Sequence, residues 1–228
     1  MRTSTTLRFA VLLTFVGGFM DAYTYVSRDG VFANAQTGNV ILLGIDLAER
    51  RWGSALAHCW PILAFVVGIV VAHVLETARL AKTFAHPIRL AMVAQIGVLI
   101  VVAALPASFP DPLVTLPVAF VAAIQLGLFR TVGSLNYITI ATTGNLMRVT
   151  EALYGRFVEH DDEKRKPAGV YGAIVASFAG GAVVGAVLTG WLGTWAALVA
   201  AGVLSVAFAL FFIDDIAARQ SPPVPGDA

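Results

Sequence analysis

Charge is scarce in this sequence. Its 228 residues include 15 Lys and Arg and 14 Asp and Glu, so 13% are charged and the net charge is +1. A soluble domain carries about 25%. No basic cluster is large enough to suggest a nucleic-acid partner, and none is expected. Cysteine is nearly absent as well. Cys59 stands alone, which rules out an intramolecular disulfide and a multi-cysteine metal site. The chain also lacks HExxH and GxSxG, and no acidic cluster accompanies His73 and Glu76. No catalytic residue, metal or cofactor is expected, and the chain does not read as an enzyme.

What is present is apolar. Hydrophobic residues make up 58% of the chain, and the mean hydropathy is +0.81. Several runs approach or exceed the ~20 apolar residues that cross a bilayer, so the lipid bilayer is the surrounding medium. The first run follows positive charges, as in a signal peptide. It continues past Gly17-Gly18 to Asp21, a poor cleavage context, and reads as a retained first span.

Apolar runs set against breakers give six spans: 7–26, 55–75, 88–105, 113–129, 169–188 and 195–213. Two moderately apolar segments remain, 30–47 and 133–153. Each holds a Thr-Gly-Asn tripeptide: Thr37-Gly38-Asn39 and Thr143-Gly144-Asn145, 106 positions apart. If these segments dip in and return, 12 of the 15 Lys and Arg residues lie inside. The inside set includes Arg79, Lys82, Arg130 and Arg219. If they cross, giving eight spans, the number inside falls to 10. The excess of basic residues on the cytoplasmic side favours six spans with both termini in the cytoplasm. The run "EHDDEKRKPAG" at 159–169 reads as a solvated inner loop.

Aligning the two tripeptides places 13–25 on 119–131, and the helices that follow correspond in order, 55–75 with 169–188 and 88–105 with 195–213. The chain divides into a first repeat, 1–106, a second, 107–216, and a disordered tail, 217–228. Three spans per repeat is an odd number, so the copies enter the membrane with opposite orientation. The fold class expected is all-α integral membrane, with six transmembrane helices in two inverted three-helix repeats, each holding a broken or re-entrant Thr-Gly-Asn segment. Inverted repeats recur in transporters, with a site near the midplane at their interface.

Non-helical backbone at that depth survives only when buried or lining an aqueous cavity. Asn and Thr suit a helix start, and Gly admits close approach. The expectation is therefore two short helices starting at about Asn39 and Asn145. Their N-termini would face a shared site for a small polar or anionic solute. The same tripeptides also read as structural turns inherited by duplication. The polar neighbours are Asn34, Gln36 and Thr37 in one copy, and Asn136, Thr139, Thr142 and Thr143 in the other.

The stretches "FVGGFMDAYTYV" and "FANAQTGNVILLG" resemble the amino-terminal signature of the YoaK family, bacterial membrane proteins of unknown function. The resemblance rests on Gly18, Asp21, Thr37, Gly38 and Asn39 at their spacing. It covers nearly the whole chain and implies a bacterial inner-membrane protein, without supplying a substrate. Family members often carry Gly-Leu-Gln-Asn at the end of the fourth helix. Here the stretch is "AIQLGLFRTV", with Gln125 displaced and no Asn after it.

Individual residues carry competing readings. Asp21, deep in the first span, serves proton coupling or cation coordination, or caps amides of a broken helix. Arg130 is a cytoplasmic anchor or an anion-binding charge beside the second tripeptide. His73 and Glu76 form an interfacial pair, since metal sites usually need three or more protein ligands. His58 and Trp60 belong at a membrane boundary. Gln95 packs between helices or lines a pathway. Ala173, Ser177, Gly181, Gly185 and Thr189 make a small-residue stripe for tight packing, within the chain or in a homodimer. The function expected is a small transporter or channel, with a membrane scaffold or sensor as the alternative.

Overall fold

A computed structural model describes residues 6–76 and 87–220, the side chains of 87 and 215–220 aside. Arg2, Arg79, Lys82 and the segment 221–228, all used in the sequence reading, lie outside the described residues. The elements are α1 (Leu7–Ser27), α2 (Gln36–Ala48), α3 (Trp52–Glu76), α4 (Pro87–Ala104), α5 (Asp111–Leu128), a two-residue hairpin of β1 (Thr131–Val132) and β2 (Leu135–Asn136), α6 (Thr143–Phe157), α7 (Arg165–Leu192) and α8 (Ala197–Gln220). Among the described residues, four stretches are long and apolar enough to cross a membrane: Leu7–Ser27, Trp52–Glu76, Asp111–Leu128 and Asp162–Asp214. The last spans 53 residues and contains α7 with most of α8; Ile88–Ala104 is a shorter apolar helix.

Each of the six apolar runs read from the sequence lies in a helix. Two boundaries differ instructively. The short helices α2 and α6 start three and two residues earlier than expected, at Gln36 and Thr143, so both tripeptides sit in a first helical turn. The helix α8 runs on to Gln220, so 217–220 continue a helix rather than opening a tail.

The helices pair in a crossed pattern. The most extensive contact joins α1 to α7, and the next joins α3 to α5. The short helices lie beside the long helix that follows them, α2 on α3 and α6 on α7, while α4 packs on α8. Close approach in the first pair depends on glycine. A Cβ on Gly18 would overlap the Phe178 carbonyl, and one on Gly181 would overlap that of Phe15. Ser177 Oγ donates to the Val11 carbonyl at 2.7 Å. The small-residue stripe of α7 is therefore covered by α1 of the same chain.

The main core joins α1, α4, α5 and α8 around Phe9, Leu13, Phe19, Leu99, Val118 and Leu204. Outward surfaces stay apolar, with Val66, Val67 and Val70 on α3 and Val183 on α7 all more than half exposed. That pattern suits lipid contact.

Candidate functional site at the tripeptide helices

The site begins where α1 ends. Arg28 is fully buried and donates through Nη1 to the carbonyls of Ala107 and Phe109, with Asp111 3.5 Å away. From there the chain doubles back along α1. Ala33 N–H donates to Thr24 Oγ1 at 3.1 Å, and Asp21 Oδ1 accepts from Asn34 N–H at 2.8 Å and Ala35 N–H at 3.1 Å. Asn34 Nδ2 reaches the Gly17 carbonyl at 3.0 Å. Ten residues separate Gly17 from the end of α1, about 15 Å at 1.5 Å per residue. Gly17 therefore lies near the middle of α1.

The second copy arrives at the same place. After β2, residues 138–140 run over α1, and the Thr139 and Ile140 backbone lies against Gly17, leaving no room for a Cβ. The two loops meet on one glycine. Both short helices then start from that depth.

Each loop is fastened by its tripeptide asparagine. Asn39 Oδ1 accepts from Phe32 N–H at 3.1 Å, and its Nδ2 donates to the Phe32 carbonyl at 2.6 Å and to Gln36 Oε1 at 3.0 Å. Asn145 does the same seven residues back. Its Oδ1 accepts from Ile138 N–H at 3.1 Å, and its Nδ2 donates to the carbonyls of Ile138 at 2.7 Å and Ala141 at 3.0 Å. A carboxamide has a donor and an acceptor side by side, so it pairs with both polar groups of one residue. The glycines fit the same arrangement: Gly38 lies under the Phe32 ring and Gly144 under Ile138 Cδ1. Asn39 and Asn145, expected to contact a solute, instead clamp their own loops. Gly38 and Gly144 make room for the clamped side chains.

Asp21 occupies the capping role among its readings, at amides 34 and 35. Asparagine retains an acceptor there and alanine does not. Asp21→Asn is expected to leave thermal stability in detergent nearly unchanged, whereas Asp21→Ala loses about 2 kcal/mol from two unmet buried N–H groups. Equal melting temperatures for the two variants would contradict the capping role.

The far end of α2 is tied to the start of α3. Arg51 donates to Asp46 Oδ1 from Nε at 2.9 Å and Nη2 at 2.6 Å, and His58 Nε2 lies 3.4 Å from Asp46 Oδ2. His58 is thus a buried partner rather than a boundary residue, while Trp60 is 41% exposed. His73 and Glu76 stand 3.8 Å apart on the surface. Among the described residues no group of three or more metal-ligating side chains occurs.

A cavity of about 440 Å³ joins the two copies. Its polar wall is Asn34, Gln36, Thr37, Thr142 and Thr143, and its apolar wall includes Phe65, Leu126, Ile138 and Phe178. Residues 34–37 face 140–143, equivalent positions in the repeat. The backbone N–H groups of Thr37 and Thr143, in the first turns of α2 and α6, make no hydrogen bond among the described residues. No charged side chain lines the cavity. A larger groove, about 1020 Å³, lies near Thr6, residues 132–135 and Arg165. It touches neither tripeptide.

Of the residues expected at the site, Gln36, Thr37 and Thr143 line the cavity; Asp21, Gly38, Asn39, Gly144 and Asn145 shape its walls from behind. Gln125 faces a separate small pocket. Arg130 is exposed and donates from Nε to the Gly127 carbonyl at 2.6 Å, away from the cavity. Phe65 and Phe178 were missed. They hold equivalent places on α3 and α7, and aligning those helices would have exposed them.

The family model described as "Protein of unknown function (DUF1275)" matches residues 9–210. The chain belongs to the DUF1275 family. No curated protein and no solved structure matches this DUF1275 chain. The matched range takes in both tripeptides, the cavity between them and every helix that walls it.

Proposed function

We propose that this DUF1275 protein is a six-span transporter or channel of the bacterial inner membrane, passing a small polar or anionic solute through the cavity between α2 and α6. The observation that carries this reading is one cavity walled by both tripeptide helix starts, with repeat-equivalent residues facing each other across it. Two unpaired N–H groups at helix N-termini favour the negative end of a solute, and the aromatic walls contributed by Phe65 and Phe178 limit its size.

Inverted repeats account for the crossed pairing. Exchanging the copies turns α1 on α7 into α5 on α3, and returns α4 on α8 to itself. The ends of the bundle agree with six spans. Arg8 meets Asp214 at 2.5 Å at one end, and Tyr23 Oη meets the Thr194 carbonyl at 3.3 Å at the other. In this arrangement the re-entrant helix α2 returns to the outer side and α6 to the cytoplasmic side, with both termini in the cytoplasm.

Single cysteines at Thr37 and Thr143, in a Cys59→Ser background, test the reading. An impermeant thiol reagent is applied to intact cells and to inverted vesicles. Both cysteines are expected to react from a common side, and in a variant carrying both, modifying one with a bulky reagent should slow the other at least tenfold. Reaction from neither side would overturn the transport reading, and reaction only from opposite sides would overturn the shared site.

A further inference from the structure

We propose that the polar route continues beyond the central cavity into an internal subsite that holds one uncharged hydrogen-bonding molecule of water's size. As a route, this rests on the transport reading above; as a hydrated site, it stands on the geometry alone.

A small pocket of about 10 Å³ lies among Asn34, Gln95, Gln125, Gly17, Met20 and Ile140. About 10–15 Å³ of such volume accommodates one water. Three carboxamides line it from three segments: the loop before α2, α4 and α5. Their residues are only 4%, 5% and 2% exposed. Gln125 Nε2 and Oε1 and Asn34 Oδ1 have no hydrogen-bond partner among the described residues. Buried polar groups are nearly always satisfied, by protein or by ordered water, so three such atoms around one pocket mark a ligand position.

The chemistry of the walls sets the ligand class. The carboxamides offer donors and acceptors together, matching a molecule that both donates and accepts. No formal charge lines the pocket, so an ion would lose its hydration without a compensating partner. Asn34 and Ile140 line this pocket and the central cavity alike. They are equivalent positions of the two copies and form the partition between the spaces.

Three of the four methionines make a built-in assay. Met20 lines the pocket and is 2% exposed; Met92 is 1% exposed in the core without lining it; Met147 is 57% exposed. The full-length protein in lipid nanodiscs is irradiated in ¹⁸O-water to generate hydroxyl radicals from bound and bulk water, and methionine sulfoxide is quantified by mass spectrometry. Met20 is expected to oxidise at least tenfold faster than Met92, with Met147 fastest. Gln125→Leu should bring Met20 down to the Met92 rate, and Gln95→Leu, on another wall, should do the same. Equal rates at Met20 and Met92 in the unmodified protein would overturn the subsite. A fast Met20 untouched by either leucine would overturn the role of the carboxamides. Cysteine reactivity at Thr37 and Thr143 reports separately on the central cavity, so failure of the transport reading and failure of the subsite give different results.

Discussion

Gly181→Ala is expected to destabilise the protein by about 3 kcal/mol, while Gly180→Ala one residue earlier is neutral or stabilising by up to about 1 kcal/mol. The contrast comes from the α1–α7 contact. A Cβ at Gly181 overlaps the Phe15 carbonyl, a backbone atom that cannot rotate away, whereas at Gly180 nothing lies within 4 Å. The helices would have to separate along a seam that also includes Gly18 against Phe178 and Gly185 against Phe19. Helix association in lipid rests on close packing rather than on expelling water, so a small separation forfeits much of the contact. Thermal unfolding of the two single variants in one detergent reads the difference directly. Equal melting temperatures would mean that α1 and α7 are not seated as described.

The second large effect is expected at the asparagine clamps. Asn39→Leu should cost about 3 kcal/mol, because the N–H and carbonyl of Phe32 lose their side-chain partners inside the protein. Asn39→Asp is the more telling change. The carboxylate still accepts from the Phe32 N–H, yet it sets a second acceptor against a carbonyl that the native Nδ2 approaches to 2.6 Å. It should be at least as damaging as leucine. Asn145→Leu and Asn145→Asp should reproduce both results, since Asn145 grips Ile138 in the same way. A ligand-binding asparagine would behave differently, with transport lost and melting temperature kept.

Much of the architecture was legible because membrane helices announce themselves by length and hydropathy. The two tripeptides were legible too, since a duplicated triplet survives as letters. Their role was harder to read. Thr-Gly-Asn suggests a helix start, and an asparagine at that depth suggests a ligand contact. The side chain reaches backward seven residues to Phe32, a contact that no local rule predicts. The sequence set Asp21 near the amides of a broken helix; the structure has it accept from Asn34 and Ala35, just ahead of α2. The apolar walls at Phe65 and Phe178 escaped notice because attention to polar residues overlooks what confines a cavity. Helix partnership was invisible as well: the stripe on α7 declared that something would pack closely there, but nothing in the letters named α1.

The crossed pairing has a consequence for how the chain is made. The partner of α1, residues Leu7–Ser27, is α7, which begins at Arg165. At about 5–20 residues per second, α1 must wait on the order of 10–30 s in the membrane before its glycines meet their carbonyls. For the first part of that interval the guanidinium of Arg28 lacks its final partners, because Asp111 and the Ala107 and Phe109 carbonyls are synthesised later. Nascent α1 is therefore a polar-bearing helix without its mate until the second half of the chain emerges.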